Sequence, residues 1–506
     1  MRLLRRAPLW MFFAALAVSP WYYGGTTAMS VAVIDWILAA SLLLFVTELI
    51  VSRRKPVIPM TLLALVLALL AISGWMVLNA RAVHDGDFSA FTPIANLFPA
   101  LPGAVDYPIS AAWMIRGALL LGVILFVAEM SQDDRTFLQI CYAIGIIAGS
   151  ICLLGLLQKA TGARMIFWQQ PWFDNKEIYP FFATYFYHAN AGAFLNLTLP
   201  VTTGLALRTF LTPSNALTRA LWVTVFALNL VAIAANTSRG GHVVGGFILL
   251  AMLIQLGPTL VRRITRAKLN VSLAGAGAIL FLLFALARVS HLEMSHKRWE
   301  QLSEQTSING RIEAARVAWE IIPHAGVFGF GPGTFRVVFP VFNAESPNRV
   351  SGFWRFLHED YLQTIIEWGW VGSALWGMLF FGGIVVAVRA VRRQRKGQRA
   401  RGEGQSGKLK AENGEASAFA QGFGAIRPVS KRSQDEISAS QRVSVSEFPI
   451  WLPRRRLLVP LIVIALGGVA IHAIADFPLQ IYSIELYVAT YLGICWGSAR
   501  WDTAKS

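Results

Sequence analysis

Apolar stretches of bilayer-crossing length recur along almost the whole of this 506-residue chain, and they leave it few ways to fold. Twelve are legible, at about 8–24, 30–51, 57–78, 111–130, 136–157, 188–209, 218–235, 241–257, 270–288, 362–388, 456–475 and 480–498. Roughly 20 consecutive apolar residues make one spanning helix. In hydrocarbon every backbone polar group must be satisfied internally, so such stretches become helices. The expected fold is all-α: a polytopic integral membrane protein with about 12 transmembrane helices. Only 14% of residues are charged, against about 25% in soluble domains. A soluble enzyme, a disordered chain and a DNA-binding domain are poor readings. Arg2, Arg5 and Arg6 precede the first stretch as in a signal peptide. No small-x-small cleavage site follows, and Trp21, Tyr22 and Tyr23 look like an interfacial belt, so it is read as a span.

The 45 Lys+Arg against 28 Asp+Glu give a net charge of +17. In a membrane protein this suggests positive-inside topology before it suggests nucleic acid. With the N-terminus inside, the short basic loops 52–55 and 261–268 both fall inside. The transmembrane domain then comprises 1–388 and 456–506. Segment 79–110 and the larger 289–361 lie outside, the latter carrying short amphipathic helices. The segment 389–455 lies inside and reads as a disordered, basic cytoplasmic loop. Its Arg392-Arg-Gln-Arg-Lys run suits anionic membrane lipids, not nucleic acid. No internal repeat is evident. Cys141, Cys152 and Cys495 sit in apolar runs without a Cys-x-x-Cys, so packing is their expected role.

Topology gathers one constellation on the outer face. The seventh span ends in Asn236-Thr-Ser-Arg239-Gly-Gly-His, where the glycine pair would permit a tight turn. Loop 289–361 holds Ser307-Ile-Asn-Gly-Arg311-Ile-Glu-Ala-Ala-Arg316. There Ile312, Ala315, Trp319 and Ile322 recur at helical spacing, with Asn309 as N-cap and Pro323 as stop. The expectation is a short amphipathic helix on the membrane that starts near Arg311. Gly329-Phe-Gly331-Pro-Gly333 follows as a flexible turn, and His358-Glu-Asp-Tyr361 opens the tenth span.

Guanidinium groups beside helix N-termini make an anion site. A histidine next to them can move a proton near neutral pH. The set suits a reaction whose leaving group is a phosphate or diphosphate, neutralised by arginines in place of a metal. Taken singly, Arg239 is equally well a snorkelling anchor, Arg311 a solvated helix charge and His358 a packed cap. The glycine cluster lacks the Lys-Ser/Thr of a P-loop and follows no strand. Asp85-Gly-Asp87 is a lone Asp-x-Asp, a weak metal signal, and no metal or other cofactor is expected. The sequons at Asn196, Asn236 and Asn270 lie in or against the membrane. Glu367 and Asp35 fall inside spans, where a carboxylate needs a partner.

Several blocks resemble the O-antigen ligase family. They are Thr237-Ser-Arg239-Gly-Gly, the stretch from Gly310-Arg311 through Trp319 to Gly329-Phe-Gly331-Pro-Gly333-Thr-Phe335, and His358-Glu-Asp-Tyr361-Leu-Gln-Thr-Ile-Ile-Glu367-Trp-Gly369. Tyr187-His-Ala-Asn190-Ala-Gly192 and Ile474-Ala-Asp476-Phe-Pro-Leu-Gln480 are similar to weaker family blocks. The resemblance implies a helical protein of the bacterial inner membrane with a large periplasmic loop. It implies an inverting, metal-independent glycosyltransferase. The donor would be a glycan on undecaprenyl diphosphate, and the acceptor the lipid A-core or a growing polysaccharide. The family's essential arginines match Arg239 and Arg311, and its essential histidine matches His358. Arg316, Tyr361 and Asn190 are expected supports in substrate binding. Many members carry Asn after the histidine, whereas this chain has Glu359. A polysaccharide polymerase with the same donor is the alternative within the family. A transporter of lipid-linked oligosaccharide or small anions is the alternative outside it.

Overall fold

The structure is a computed structural model that describes residues 2–86, 90–170, 180–264, 306–347, 350–422 and 454–501. Helices dominate. In chain order they are α1 (Arg2–Trp21), α2 (Ala28–Ser52), α3 (Met60–Leu78), α4 (Tyr107–Met130), α5 (Asp134–Ala160), α6 (His188–Leu211), α7 (Ala216–Ala235) and α8 (Arg239–Ile264). Then come α9 (Thr306–Ala325), α10 (Phe335–Glu345), α11 (Asp360–Gly422), α12 (Arg454–His472) and α13 (Tyr482–Gly497). One antiparallel hairpin, β1 (Ala82–Asp85) with β2 (Ala90–Pro93), lies between α3 and α4, with Ala82 opposite Pro93.

Nine of the described helices are long and apolar enough to cross a membrane: α2 to α8, α11 and α12. The expected first and last spans form helices too, but α13 has only 16 residues and starts at Tyr482, after a 3-10 turn at Pro478–Gln480. The expected ninth span, 270–288, lies outside the described residues. Bulky apolar side chains such as Trp36, Leu43 and Ile50 of α2 are exposed, as a lipid-facing surface requires. The three cysteines are free and buried.

Three expectations need correction. Residues 389–422 continue α11 as helix instead of being disordered. Arg, Lys, Gln, Glu and Ala are good helix formers, and an existing span spares them the costly nucleation step; residues 423–453 lie outside the described set. Secondly, α9 begins at Thr306 and contains Pro323, so Arg311 sits in its second turn. Its buried stripe is Ala314, Val317, Ala318 and Ile321, packed with α10 and the start of α11, while Ile312 and Trp319 are exposed. Small residues let helices approach closely where lipid gives no drive to bury the large ones. Thirdly, Gly240 and Gly241 make no turn but lie in the first turn of α8. There Gly241 packs against Gly192 of α6, and an added Cβ would sit 3.3 Å from the Gly192 Cα.

The segment 327–335 is pinned rather than flexible. The long helix α11 is broken at Gly369 (φ 62°, ψ −170°). Phe330 and Gly331 N–H groups donate to the carbonyls of Ile366 and Glu367, each at 2.9 Å, and Val371 N–H donates to Val327 O at 3.2 Å. The Glu367 carboxylate accepts from Gly333 N–H (3.0 Å), Phe335 N–H (3.3 Å) and Gln363 Nε2 (3.0 Å). Its intramembrane charge is thereby met by structure. A Cβ at Gly329 (φ 76°) would lie 2.3 Å from the Glu367 carbonyl. Gly329→Ala should therefore destabilise the protein by at least about 1–3 kcal/mol, the cost of a strained backbone. A lowered melting temperature in detergent would show it; an unchanged one would contradict this docking.

Buried ionic contacts also brace the neighbouring turn. Arg116 of α4 pairs with Glu485 of α13 and donates to Gln480 O at 3.1 Å. Its guanidinium lies 4.5 Å from the ring centroids of both Trp113 and Tyr482. The Tyr482 hydroxyl donates to Asp35, which supplies the partner that this carboxylate needs.

Candidate active site

Two sequence-distant segments lie side by side between α11 and α12. Asp360 N–H donates to Ala473 O at 2.9 Å, and its carboxylate accepts from Leu479 N–H (2.9 Å) and Gln480 Nε2 (3.1 Å). The Tyr361 hydroxyl donates to Ala470 O at 2.8 Å. This lacing sets 356–361 against 470–480 and fixes the imidazole of His358. His358 itself has φ +61°, the left-handed region. Histidine is among the residues that enter it more readily, yet such a backbone costs about 1–3 kcal/mol and persists only where its surroundings demand it.

Those surroundings are Asp476 and an aromatic stack. His358 Nδ1 lies 3.0 Å from Asp476 Oδ1. Phe477 stacks on Tyr187 (5.7 Å between centroids) and on Phe356 (4.9 Å), with the His358 ring edge-on at 4.5 Å. Arg311 reaches the same place from α9. Its Nη1 donates to Ala475 O at 2.8 Å, and its Nη2 donates to the Tyr187 hydroxyl at 2.9 Å and lies 4.0 Å from Asp476 Oδ2.

The electrostatics follow. Burial pushes the Asp476 carboxyl up, but the His358 hydrogen bond and the charges of Arg311, His358 and His472 outweigh it and hold the carboxyl below its usual range. Asp476 is therefore ionised at neutral pH, and His358 Nδ1 is the donor to it. In the neutral form of that imidazole the lone pair is on Nε2, the position a general base needs.

Arg239 arrives by another route. It heads α8, where Ser238 Oγ accepts from Gly241 N–H at 3.0 Å as a cap. Gly240 faces His472, whose Nε2 would lie 3.9 Å from an added Cβ. His472 in turn acts on Asp476, so the α8 start adjoins the cluster. Arg239 Nη1 is buried with no hydrogen-bond partner among the described residues. A buried donor without a partner costs about 1–3 kcal/mol, which makes a ligand contact the natural explanation.

The expected supports fare differently. Arg316 is exposed on α9, and no described contact joins it to Asp476 or His358. The Tyr361 hydroxyl is engaged with α12. Asn190 is buried in the first turn of α6, its N–H on Tyr187 O at 3.1 Å, and it is Tyr187 that touches Arg311. Glu359 accepts from Tyr361 N–H (3.3 Å) and Leu362 N–H (2.6 Å), a helix-capping role that Asn fills equally well. Burial raises its carboxyl above the usual range against the pull of those two N–H groups. Sequence reasoning missed Asp476 and Tyr187 as site residues although it noted their blocks, and it missed His472 altogether. An acid between two spans and a histidine at a span end were the available signals. Among the described residues no group of three or more His, Cys, Asp or Glu could hold a metal, and Asp87 lies outside them.

The fold and this cluster define a helical integral membrane protein with an Arg–Asp–His site where four helices begin or end. Residues 224–377 match the family model described as O-antigen ligase, and Arg239, Arg311 and His358 all fall within the matched range. The match supports the resemblance read from the blocks and, with it, a membrane glycosyltransferase of the O-antigen ligase and polymerase type. Tyr187 and Asp476 lie outside that range. No curated protein matches the chain.

Proposed function

We propose that the protein is an O-antigen ligase-type glycosyltransferase at the periplasmic face of a bacterial inner membrane. It transfers a glycan from undecaprenyl diphosphate to a sugar hydroxyl of the lipid A-core. The observation that carries this reading is the Arg311–Asp476–His358 contact, which presents a free imidazole nitrogen beside fixed positive charge.

The acceptor hydroxyl attacks the anomeric carbon from the face opposite the diphosphate. The new C–O bond forms as the bond to the diphosphate oxygen breaks, so configuration inverts. The hydroxyl proton passes to His358 Nε2, and Asp476 steadies the imidazolium through Nδ1–H. Arg239 meets the charge that develops on the leaving diphosphate. Arg311 contributes positive charge while its N–H groups hold Tyr187, Ala475 and Asp476 in place. Guanidinium groups thus do the work a divalent metal does elsewhere.

The test supplies membranes holding the protein with a polyprenyl-diphosphate-linked glycan and lipid A-core, with and without chelator. Glycosylated core should form, and chelation should leave the yield unchanged. Glycan lengthened on its lipid carrier, with the core untouched, would reassign the protein as a polymerase. A donor left unconsumed would end the transferase reading. Loss on chelation, restored by a divalent ion, would replace the arginine mechanism with a metal-dependent one.

A further inference from the structure

We propose that Thr237 and His472 complete, with Arg239, a phosphate subsite at the start of α8 that holds the diphosphate of the lipid-linked donor. The inference rests on the transferase reading and deepens it. His472 is 3% exposed, yet its Nδ1 has no hydrogen-bond partner among the described residues. Thr237 is 4% exposed, and its Oγ1 has none either. Arg239 Nη1 is the third such atom. Arg239 starts α8 and Thr237 stands two residues before it; the His472 ring meets the same turn through Nε2, 3.9 Å from a Cβ added at Gly240, which is itself exposed.

The packing holds this arrangement rigid. Gly468 of α12 admits Val244 and Ile248 of α8, so the two helices meet closely one turn below His472. Chemistry selects the ligand. A guanidinium N–H, a hydroxyl, an imidazole able to carry N–H on either ring nitrogen and the positive end of a 26-residue helix are donors or positive charge. Water would satisfy one or two of them, whereas a phosphate offers acceptors to all at once. Asp476 contacts His358 at 3.0 Å and also feels His472, so the subsite adjoins the His358 end of the site.

The test uses the full-length protein in detergent, with undecaprenyl diphosphate, undecaprenol and inorganic pyrophosphate as probes. The variants are His472→Phe and Thr237→Val. Both preserve shape, and neither removes a side-chain hydrogen bond made among the described residues, so folding should survive. Wild type should bind undecaprenyl diphosphate more tightly than undecaprenol. His472→Phe should weaken the diphosphate lipid by about tenfold and Thr237→Val by several-fold, with undecaprenol unchanged, as expected when a charge-assisted contact is lost. If either variant fails to fold, the other carries the comparison. Wild-type affinity in both variants would overturn the subsite while leaving the transferase reading intact. A wild-type protein blind to the diphosphate would overturn both. Inorganic pyrophosphate bound more tightly than the lipid form would overturn the assignment to the lipid-linked donor.

Discussion

His358→Ala should abolish glycan transfer while the protein still inserts and accumulates. The imidazole is the one group whose unengaged nitrogen faces the site with a partner fixing its tautomer, and removing a general base costs about 10²–10⁴-fold in rate. Asp476→Asn should approach that loss, because the amide no longer enforces Nδ1–H or balances an imidazolium. Asp476 acts through His358, so kcat should fall with little change in the donor KM. The acid side of the pH profile should also change in Asp476→Asn. In the wild type the Asp476 carboxyl sits below its ordinary range, so the stability it contributes is present above that range and lost as pH falls through the depressed value. The double variant should lose less than the sum of the two, since groups working as a unit fail together. Near-normal transfer per inserted molecule in His358→Ala would end the catalytic assignment.

Arg311→Lys should be almost as damaging, with a loss on the order of a hundredfold, or about 3 kcal/mol. The guanidinium reaches Ala475 O and the Tyr187 hydroxyl with separate nitrogens while lying 4.0 Å from Asp476. An ammonium is a single point and cannot span that fork, although it keeps the charge. If Arg311 were merely an interfacial charge, lysine would behave like arginine, and alanine would lower protein level instead of specific activity. Specific transfer by Arg311→Lys equal to wild type would therefore remove Arg311 from the site.

Apolar length placed most of the spans because the bilayer imposes it, and eleven of the twelve expected stretches fall on described helices. The side of α9 that packs on the protein went unread, because Ala314 and Ala318 are too small to stand out in a hydropathy pattern that the exposed Ile312 and Trp319 dominate. Arg239 and His358 stood out as polar residues at span ends and Arg311 as a charge on an amphipathic helix, all in recognisable blocks, and the structure sets Arg311 and His358 on the same carboxylate. The partnership of His358 with Asp476 was not legible, because it joins residues 118 positions apart and no local period encodes it. His472 was missed for a related reason: it reads as the tail of an apolar run until α8 is set beside it. Arg116 and Glu485 escaped notice likewise, since each is a lone charge in its own stretch and only the packed pair explains it.

The long interval between α11 and α12 bears on how the protein comes into being. His358 precedes the one helix and Asp476 follows the other, so the reactive pair cannot exist until nearly the whole chain has been made and threaded. A ribosome that has released residue 422 has delivered both arginines and the imidazole, but not the carboxylate that orients it. On the proposed reading the nascent protein is therefore silent by construction, and competence arrives only when the last two helices seat against the first eleven. What joins the halves is the fit of α12 to α6, α8 and α11 and of α13 to α4 and α11. Lengthening the connection adds only slowly to the entropic cost of closing it, so this interval can vary in length and composition without moving an atom of the site.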